Sequence, residues 1–196
     1  MELSAIGYRL SGTWVRVGAV VLGALLVAAA AQISIPLPGT PVPMTLQPMA
    51  VLLVGGLLGA RLGALSMILY LAMGAAGLPV FTPTVPLLGV ARLFGPTGGY
   101  LLAYPVAAYV VGAIIPPLRS AERGPGGEDW RRVAFGVIAG IVLIHLGGLA
   151  QLAILTGNLS AAARFGTWPF LLGDLIKIAV LVPVLAKLTP SIRARL

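Results

Sequence analysis

Residues 168–188, WPFLLGDLIKIAVLVPVLAKL, form an apolar stretch long enough to cross a bilayer, with Asp174 and Lys177 inside it. At about 1.5 Å of rise per helical residue, Lys177 falls roughly 14–17 Å from either end of that stretch and Asp174 roughly 9 Å from its beginning. A lysine stem reaches only a few ångströms towards headgroups. An ionisable side chain at such depth costs about 2.5–3.5 kcal/mol on insertion scales, so it faces a partner, a cavity or a ligand. Residues three apart lie on neighbouring faces of a helix, which lets one polar site use both.

The remainder of the chain makes the membrane reading general. Of 196 residues, 59% are hydrophobic and only 9% are charged, where soluble domains carry about 25% charged residues. Mean hydropathy is +1.03. A water-soluble core of this size needs far more polar surface, so the chain reads as one integral membrane domain, residues 1–196. The net charge of +8 would suggest nucleic acid in a soluble protein. Here the charges sit in short connections between apolar runs, so topology explains them and no nucleic-acid partner is expected. The absence of cysteine excludes disulfides, thiol nucleophiles and thiolate metal sites. Arg9, Arg16 and the run Ala28-Ala29-Ala30-Ala31-Gln32 imitate a signal peptide. Val15–Ile33 is nevertheless long enough to span, and the chain downstream is equally apolar, so this segment reads as a retained first helix.

Six apolar runs emerge: Thr13–Ile33, Met44–Leu58, Leu62–Leu78, Gly98–Ile115, Val133–Leu155 and Trp168–Leu188. Met44 to Leu78 as one helix would extend roughly 50 Å, beyond the roughly 30 Å hydrocarbon core. Gly55, Gly56, Gly59 and Arg61 offer a turn between two short spans. Six spans place Arg9, Arg16, Arg61, Arg119, Arg123, Arg131, Arg132, Lys187, Arg193 and Arg195 on one side, against Arg92 and Arg164 on the other. The predicted fold is therefore an all-α, six-helix transmembrane bundle with both termini cytoplasmic. Glu122–Asp129, with Pro125 and its neighbouring glycines, reads as a solvated cytoplasmic loop.

Two connections on the opposite side are more than links. Residues 35–47, IPLPGTPVPMTLQ, contain four prolines, which favour an extended, ordered segment. Residues 77–84, GLPVFTPT, lead through Arg92 to Phe94-Gly95-Pro96-Thr97-Gly98-Gly99-Tyr100. Both are apolar and poor in charge, so they are expected to fold back over the bundle. Irregular backbone at membrane depth is tolerated where it lines a cavity. A loop-capped pocket opening outward follows.

The chemistry available narrows what such a pocket does. No Gly-x-x-x-x-Gly-Lys-Ser/Thr phosphate loop is present, so ATP hydrolysis by this chain is not expected. Neither is a His-Glu-x-x-His helix or any other metal cluster, and the only histidine is His145. His145, beside Gly147 and Gly148, reads either as an interhelical hydrogen bond or as a pocket or proton-handling residue. As an intramembrane hydrolase it would need an activated serine, and Ser66 lacks a Gly-x-Ser-x-Gly context. Asp174 and Lys177 either neutralise one another to hold helices in register or contact a ligand. Gln47, Arg92 and Tyr100 approach from the outer side, although Arg92 and Tyr100 also suit the membrane interface. Together they suggest a small ligand with an anionic group and amide-like hydrogen-bonding groups. Ala24 and Ala28, with Ala19 and Gly23, form small-x-x-x-small spacings that offer a docking face for a partner membrane subunit.

At this point the chain resembles the BioY family, the biotin-binding S components of energy-coupling factor transporters. The likeness runs from the first apolar helix to the last and rests on five blocks in order. These are Val42-Pro43-Met44-Thr45-Leu46-Gln47, Leu57-Leu58-Gly59-Ala60-Arg61-Leu62-Gly63-Ala64, the run from Tyr70 through Gly74 to Phe81, Gly95-Pro96-Thr97-Gly98-Gly99-Tyr100, and Gly173-Asp174-Leu175-Ile176-Lys177. The family's more glycine-rich stretch before Gly-Pro-Thr-Gly-Gly is replaced here by Val85-Pro86-Leu87-Leu88. The resemblance implies an importer subunit in the bacterial plasma (inner) membrane, with biotin as transported ligand and no cofactor. It also implies an energy-coupling transmembrane subunit and two ATPase subunits as partners. A stand-alone transporter of biotin or a small carboxylate is the alternative, and an intramembrane enzyme using His145 is a second. By motif match, Asp174, Lys177, Arg92, Tyr100, Gln47 and Phe81 contact the ligand. A carboxylate accepts from ureido N–H groups and a cation pairs the ligand's carboxylate; both Lys177 and Arg92 are candidates for that cation. The expected arrangement has Asp174 and Lys177 holding the ligand in place of each other.

Overall fold

Gly59 decides how the second apolar stretch folds. Its φ of +83° lies in the left-handed region that suits glycine, and it ends one helix and starts the next. The computed structural model describes residues 2–115, 128–194 and 196. Within them the order is α1 (Glu2–Gln32), β1 (Ser34–Ile35), β2 (Met44–Thr45), α2 (Gln47–Leu58), α3 (Ala60–Ala75), α4 (Ala91–Phe94), α5 (Gly98–Ile114), α6 (Glu128–Thr156), α7 (Leu159–Gly166), a 3-10 turn (Trp168–Phe170) and α8 (Leu171–Arg193). The turn expected around Gly55–Arg61 is therefore present, at Gly59.

Among the described residues, three stretches are long and apolar enough to cross a membrane: Gly12–Gln32, Asp129–Thr156 and Leu159–Arg193. The helices α2, α3 and α5 are apolar but shorter, at 12, 16 and 17 residues. Their lengths come to roughly 18–26 Å, less than the hydrocarbon thickness. The shortfall lies at one end of the bundle, where backbone leaves helical form. Met44 and Thr45, expected inside the second span, instead pair antiparallel with Ile35 and Ser34. This hairpin is the ordered form taken by the proline-rich connection. Residues 76–78, expected to be helical, lie beyond the end of α3, with Ala76 as its cap.

Small residues set the helix packing. α5 runs through the centre, against α6, α3 and α2. A Cβ on Gly55 would strike the Ala108 backbone of α5, and one on Gly63 would strike Gly55 itself. Backbones at this distance gain dispersion contacts that lipid does not outbid. Ala24 and Ala28 are buried, in one cluster with Val54 and Met67, while Leu22, Leu25 and Leu26 of the same helix face outward. Ala24 and Ala28 therefore seat α1 against its own bundle, while Ala19 and Gly23 of the same stripe line a groove with Leu22 and Leu26. On α8, Leu172, Leu175 and Ile176 are exposed while Asp174 and Lys177 are buried. Contiguous exposed apolar surface of this kind suits lipid and not water.

Arg16 and Arg193 lie at the end where α2, α5 and α8 finish, opposite Arg92 and Lys177. Arg193 donates to the carbonyls of Ile115, of Gly56 at 2.7 Å and of Gly112 at 3.2 Å. It thereby satisfies acceptors that the ends of α2 and α5 leave open, with the charge sign that a helix C-terminus favours. Arg16 Nε donates to the Leu196 carbonyl at 2.9 Å. Arg119, Arg123, Arg195 and most of the Glu122–Asp129 loop lie outside the described residues. Arg193→Ala is expected to lower the thermal midpoint of the detergent-purified protein by several degrees, since hydrogen bonds from a charged donor contribute about 1.5–3 kcal/mol. Arg193→Lys recovers less than half of this, because an ammonium lacks the planar fork; tryptophan-fluorescence melting measures both.

Candidate ligand-binding site

At the other end of the bundle lies a cavity of about 640 Å³, including the part of its mouth open to solvent. Gln47, Phe81, Arg92, Tyr100, Asp174 and Lys177 all line it, so residues spread over 131 positions of sequence share one wall system. Ala24 and Ala28 are not part of it. His145, Tyr104, Thr97 and Phe170 line it as well.

Asp174 forms the polar floor. It occupies the first turn of α8, nearer the helix start than the limits Trp168–Leu188 imply, because Trp168–Phe170 is a 3-10 turn and α8 continues to Arg193. Lys177 Nζ donates to Asp174 Oδ1 at 2.9 Å, and His145 Nε2 lies 2.6 Å from Oδ2. Asp174 and Lys177 are 5% and 7% exposed, so the pair is satisfied internally and not by bulk water. A carboxylate only accepts, so His145 Nε2 carries the hydrogen in that bond. The interhelical hydrogen bond read for His145 is thus formed, and it lies in the cavity. The hydrolase pairing is not. Ser66 donates to Leu62 on its own helix at 2.9 Å and is fully buried against Gly23 of α1.

The second polar group is Arg92, 1% exposed and not an interfacial arginine. Its Nη1 donates to Val85 at 2.5 Å and Leu87 at 3.3 Å, and Nη2 to Thr82 at 2.8 Å. One side chain therefore holds the carbonyls of the loop that caps the cavity. Its Nε has no partner, and neither has the buried Thr97 Oγ1 on the same lining. Burial pushes the Arg92 pKa below the usual arginine value, opposed by the Tyr70 and Tyr104 hydroxyls. Arginine starts high enough to stay charged regardless.

Aromatic rings make the apolar walls, and two of them, Tyr100 and Phe81, are fitted over glycines. Tyr100 is 7% exposed and donates to the Gly166 carbonyl at 2.5 Å, so it belongs to the interior and not to an interfacial belt. A Cβ on Gly148 or Gly166 would occupy the space of its ring or hydroxyl. Phe81 stands on Gly74 and meets Tyr70 edge-on, with centroids 5.4 Å apart. The Gln47 amide donates to the Tyr70 hydroxyl at 2.5 Å, which in turn donates to Val80 at 3.3 Å. These bonds tie α2, α3 and the cap together. Thr40 in the hairpin connection donates to Phe165 at 2.6 Å, closing the other side over α7. Tyr104 was legible as the residue one turn beyond Tyr100 on the same face. The role of α7 had no such signal.

Fold and cavity define a helical membrane protein with a capped cavity that has aromatic walls and a charged floor. The BioY family model matches residues 9–194, and the chain belongs to the BioY family. It is 34% identical over 172 residues to a probable biotin transporter BioY of Pyrococcus horikoshii, covering 88% of this chain and 94% of that one. It is 36% identical over 155 residues to the biotin transporter BioY of Thermotoga maritima, covering 79% and 84%. Among solved structures, the S-component for biotin from an ECF-type ABC transporter superposes with a TM-score of 0.77 at 25% identity, covering 90% of this chain and 91% of that one.

Gly148→Ala is expected to destabilise the fold by about 1–3 kcal/mol, because the added methyl must displace the Tyr100 ring. Gly18→Ala, where a Cβ meets nothing within 4 Å, leaves the midpoint unchanged or raised; thermal unfolding of the two variants side by side checks the pair.

Proposed function

We propose that this chain is the biotin-capturing subunit of an ATP-driven vitamin importer. It would be the S component that works with an energy-coupling transmembrane subunit and two ATPase subunits. The observation that carries the reading is the buried Asp174 held between Lys177 and His145 on the floor of a capped, aromatic-walled cavity. Biotin combines ureido N–H donors, an apolar bicycle and a carboxylate. Asp174 suits the N–H donors, and Tyr100, Tyr104 and Phe81 suit the ring system. The cation for the ligand's carboxylate is either Lys177, which keeps two donors beyond its bond to Asp174, or Arg92, through its unpartnered Nε. Family membership supports transport over catalysis, and the reading includes no cofactor.

In the bilayer, α1, α2, α3, α5, α6 and the Leu159–Arg193 stretch would act as six passes. The three short helices are completed by the loops that build the cavity. Basic residues at the end opposite the cavity support cytoplasmic termini and an outward-opening site in the plasma membrane. Transport by the chain alone is the second reading, and family resemblance to proteins named simply as transporters keeps it in play.

Purified protein is expected to bind biotin one to one in isothermal titration calorimetry. Asp174→Asn and Lys177→Ala should each weaken binding about 10- to 100-fold, since each strands a buried charged partner. Absence of heat with wild-type protein, or unchanged affinity in both variants, overturns the assignment. In liposomes, ATP-dependent biotin uptake should require the coupling and ATPase subunits; uptake by this chain alone would favour the second reading.

A further inference from the structure

His145 is the only histidine in the chain, and the charge balance of the floor does not need it. Lys177 already neutralises Asp174 at 2.9 Å, so a second donor at 2.6 Å on the other oxygen performs a different task. The carboxylate is gripped from two directions, by its own helix α8 through Lys177 and by α6 through His145. Two bonds from different elements fix the plane of the carboxylate, which a single pairing to a flexible lysine does not. The histidine ring is itself held, between the edge of Tyr100 at 6.3 Å and Phe170 at 6.4 Å. Its Nδ1 is buried without a partner, so Nε2 is its one polar tie.

We propose that His145 is a positioning residue for ligand recognition, acting through Asp174. It holds Oδ2 permanently and leaves Oδ1 as the edge presented to an incoming N–H donor. On ligand entry the Lys177–Asp174 contact is the one given up, and Lys177 becomes free to donate to the ligand. The His145–Asp174 bond persists in both states. The site thereby presents a fixed acceptor to an N–H donor, and geometry is set before the ligand arrives. This rests on the reading that the cavity holds biotin.

Because one histidine serves the whole chain, histidine-selective isotope labelling in NMR reports this ring without assignment. A hydrogen-bonded Nε2–H signal is expected in ligand-free wild type, to persist when biotin saturates the site, and to shift in Asp174→Asn. That measurement on the free protein stands whether or not biotin is the ligand, whereas a failed titration of wild type would indict the ligand alone. In calorimetry, His145→Phe should weaken biotin about 10-fold, but less than about twofold further in an Asp174→Asn background. His145→Gln, which keeps a donor, should recover part of the loss. A penalty of equal size in both backgrounds would mean packing and nothing more. Loss of the Nε2–H signal on biotin binding, or its absence from the free protein, would equally overturn the proposal.

Discussion

A carboxylate buried in a bundle that faces lipid has to be neutralised and hydrogen-bonded where it stands, and Asp174 is the point at which this protein meets that demand. Each buried ion costs several kcal/mol of lost hydration, recovered only where geometry is good and the remaining lone pairs are filled. Lys177 and His145 fill them from α8 and α6. That constraint fixes how the two longest elements of the cavity face one another. It also leaves the lysine with donors to spare at the cavity floor. A floor that is already satisfied when empty is stable in the membrane, and under the proposed function it would exchange one internal bond for a ligand bond without exposing a bare charge.

The rest of the molecule divides its tasks by end. At the basic end helices terminate cleanly, and Arg193 closes the open carbonyls of α2 and α5. At the cavity end the backbone is irregular, and order comes from side chains bonding to loop carbonyls. Arg92 gathers Thr82, Val85 and Leu87, Gln151 of α6 donates to Leu93 and Gly95 at 3.0 and 2.7 Å, and Tyr100 holds Gly166. The cavity thus lies beneath a cover whose order depends on side chains more than on a backbone ladder.

The legible features share a cause. Asp174 and Lys177 are conspicuous because charge is expensive in an apolar run, so their mere presence implies burial with a partner. The turn at Gly59 and the ordered hairpin were readable because glycine and proline act on local backbone geometry. Arg92 and Tyr100 were found as candidates, but their surroundings were not: each was equally at home at an interface until burial separated the alternatives. The amphipathic α7 and the extension of α8 through Pro190 to Arg193 escaped because neither follows from apolar run length. Ala24 and Ala28 illustrate the opposite problem. Spacing identifies a close-packing face, but whether its partner is the same chain or another depends on which way α1 is rotated.

By itself, then, the amino-acid sequence determined that this is a membrane-embedded helical protein, which of its helices carries buried charge, and through five ordered blocks its membership of the BioY family. Those conclusions need only transfer energies, local backbone rules and pattern. The tertiary structure alone decided that His145, 29 positions before Asp174, completes its coordination, that Arg92 serves the cap, and that Ala24 and Ala28 of α1 pack into the bundle. Each depends on how helices rotate and approach across long separations, a choice made by packing at positions such as Gly55, Gly148 and Gly166. Nothing in the local pattern of a helix specifies that choice.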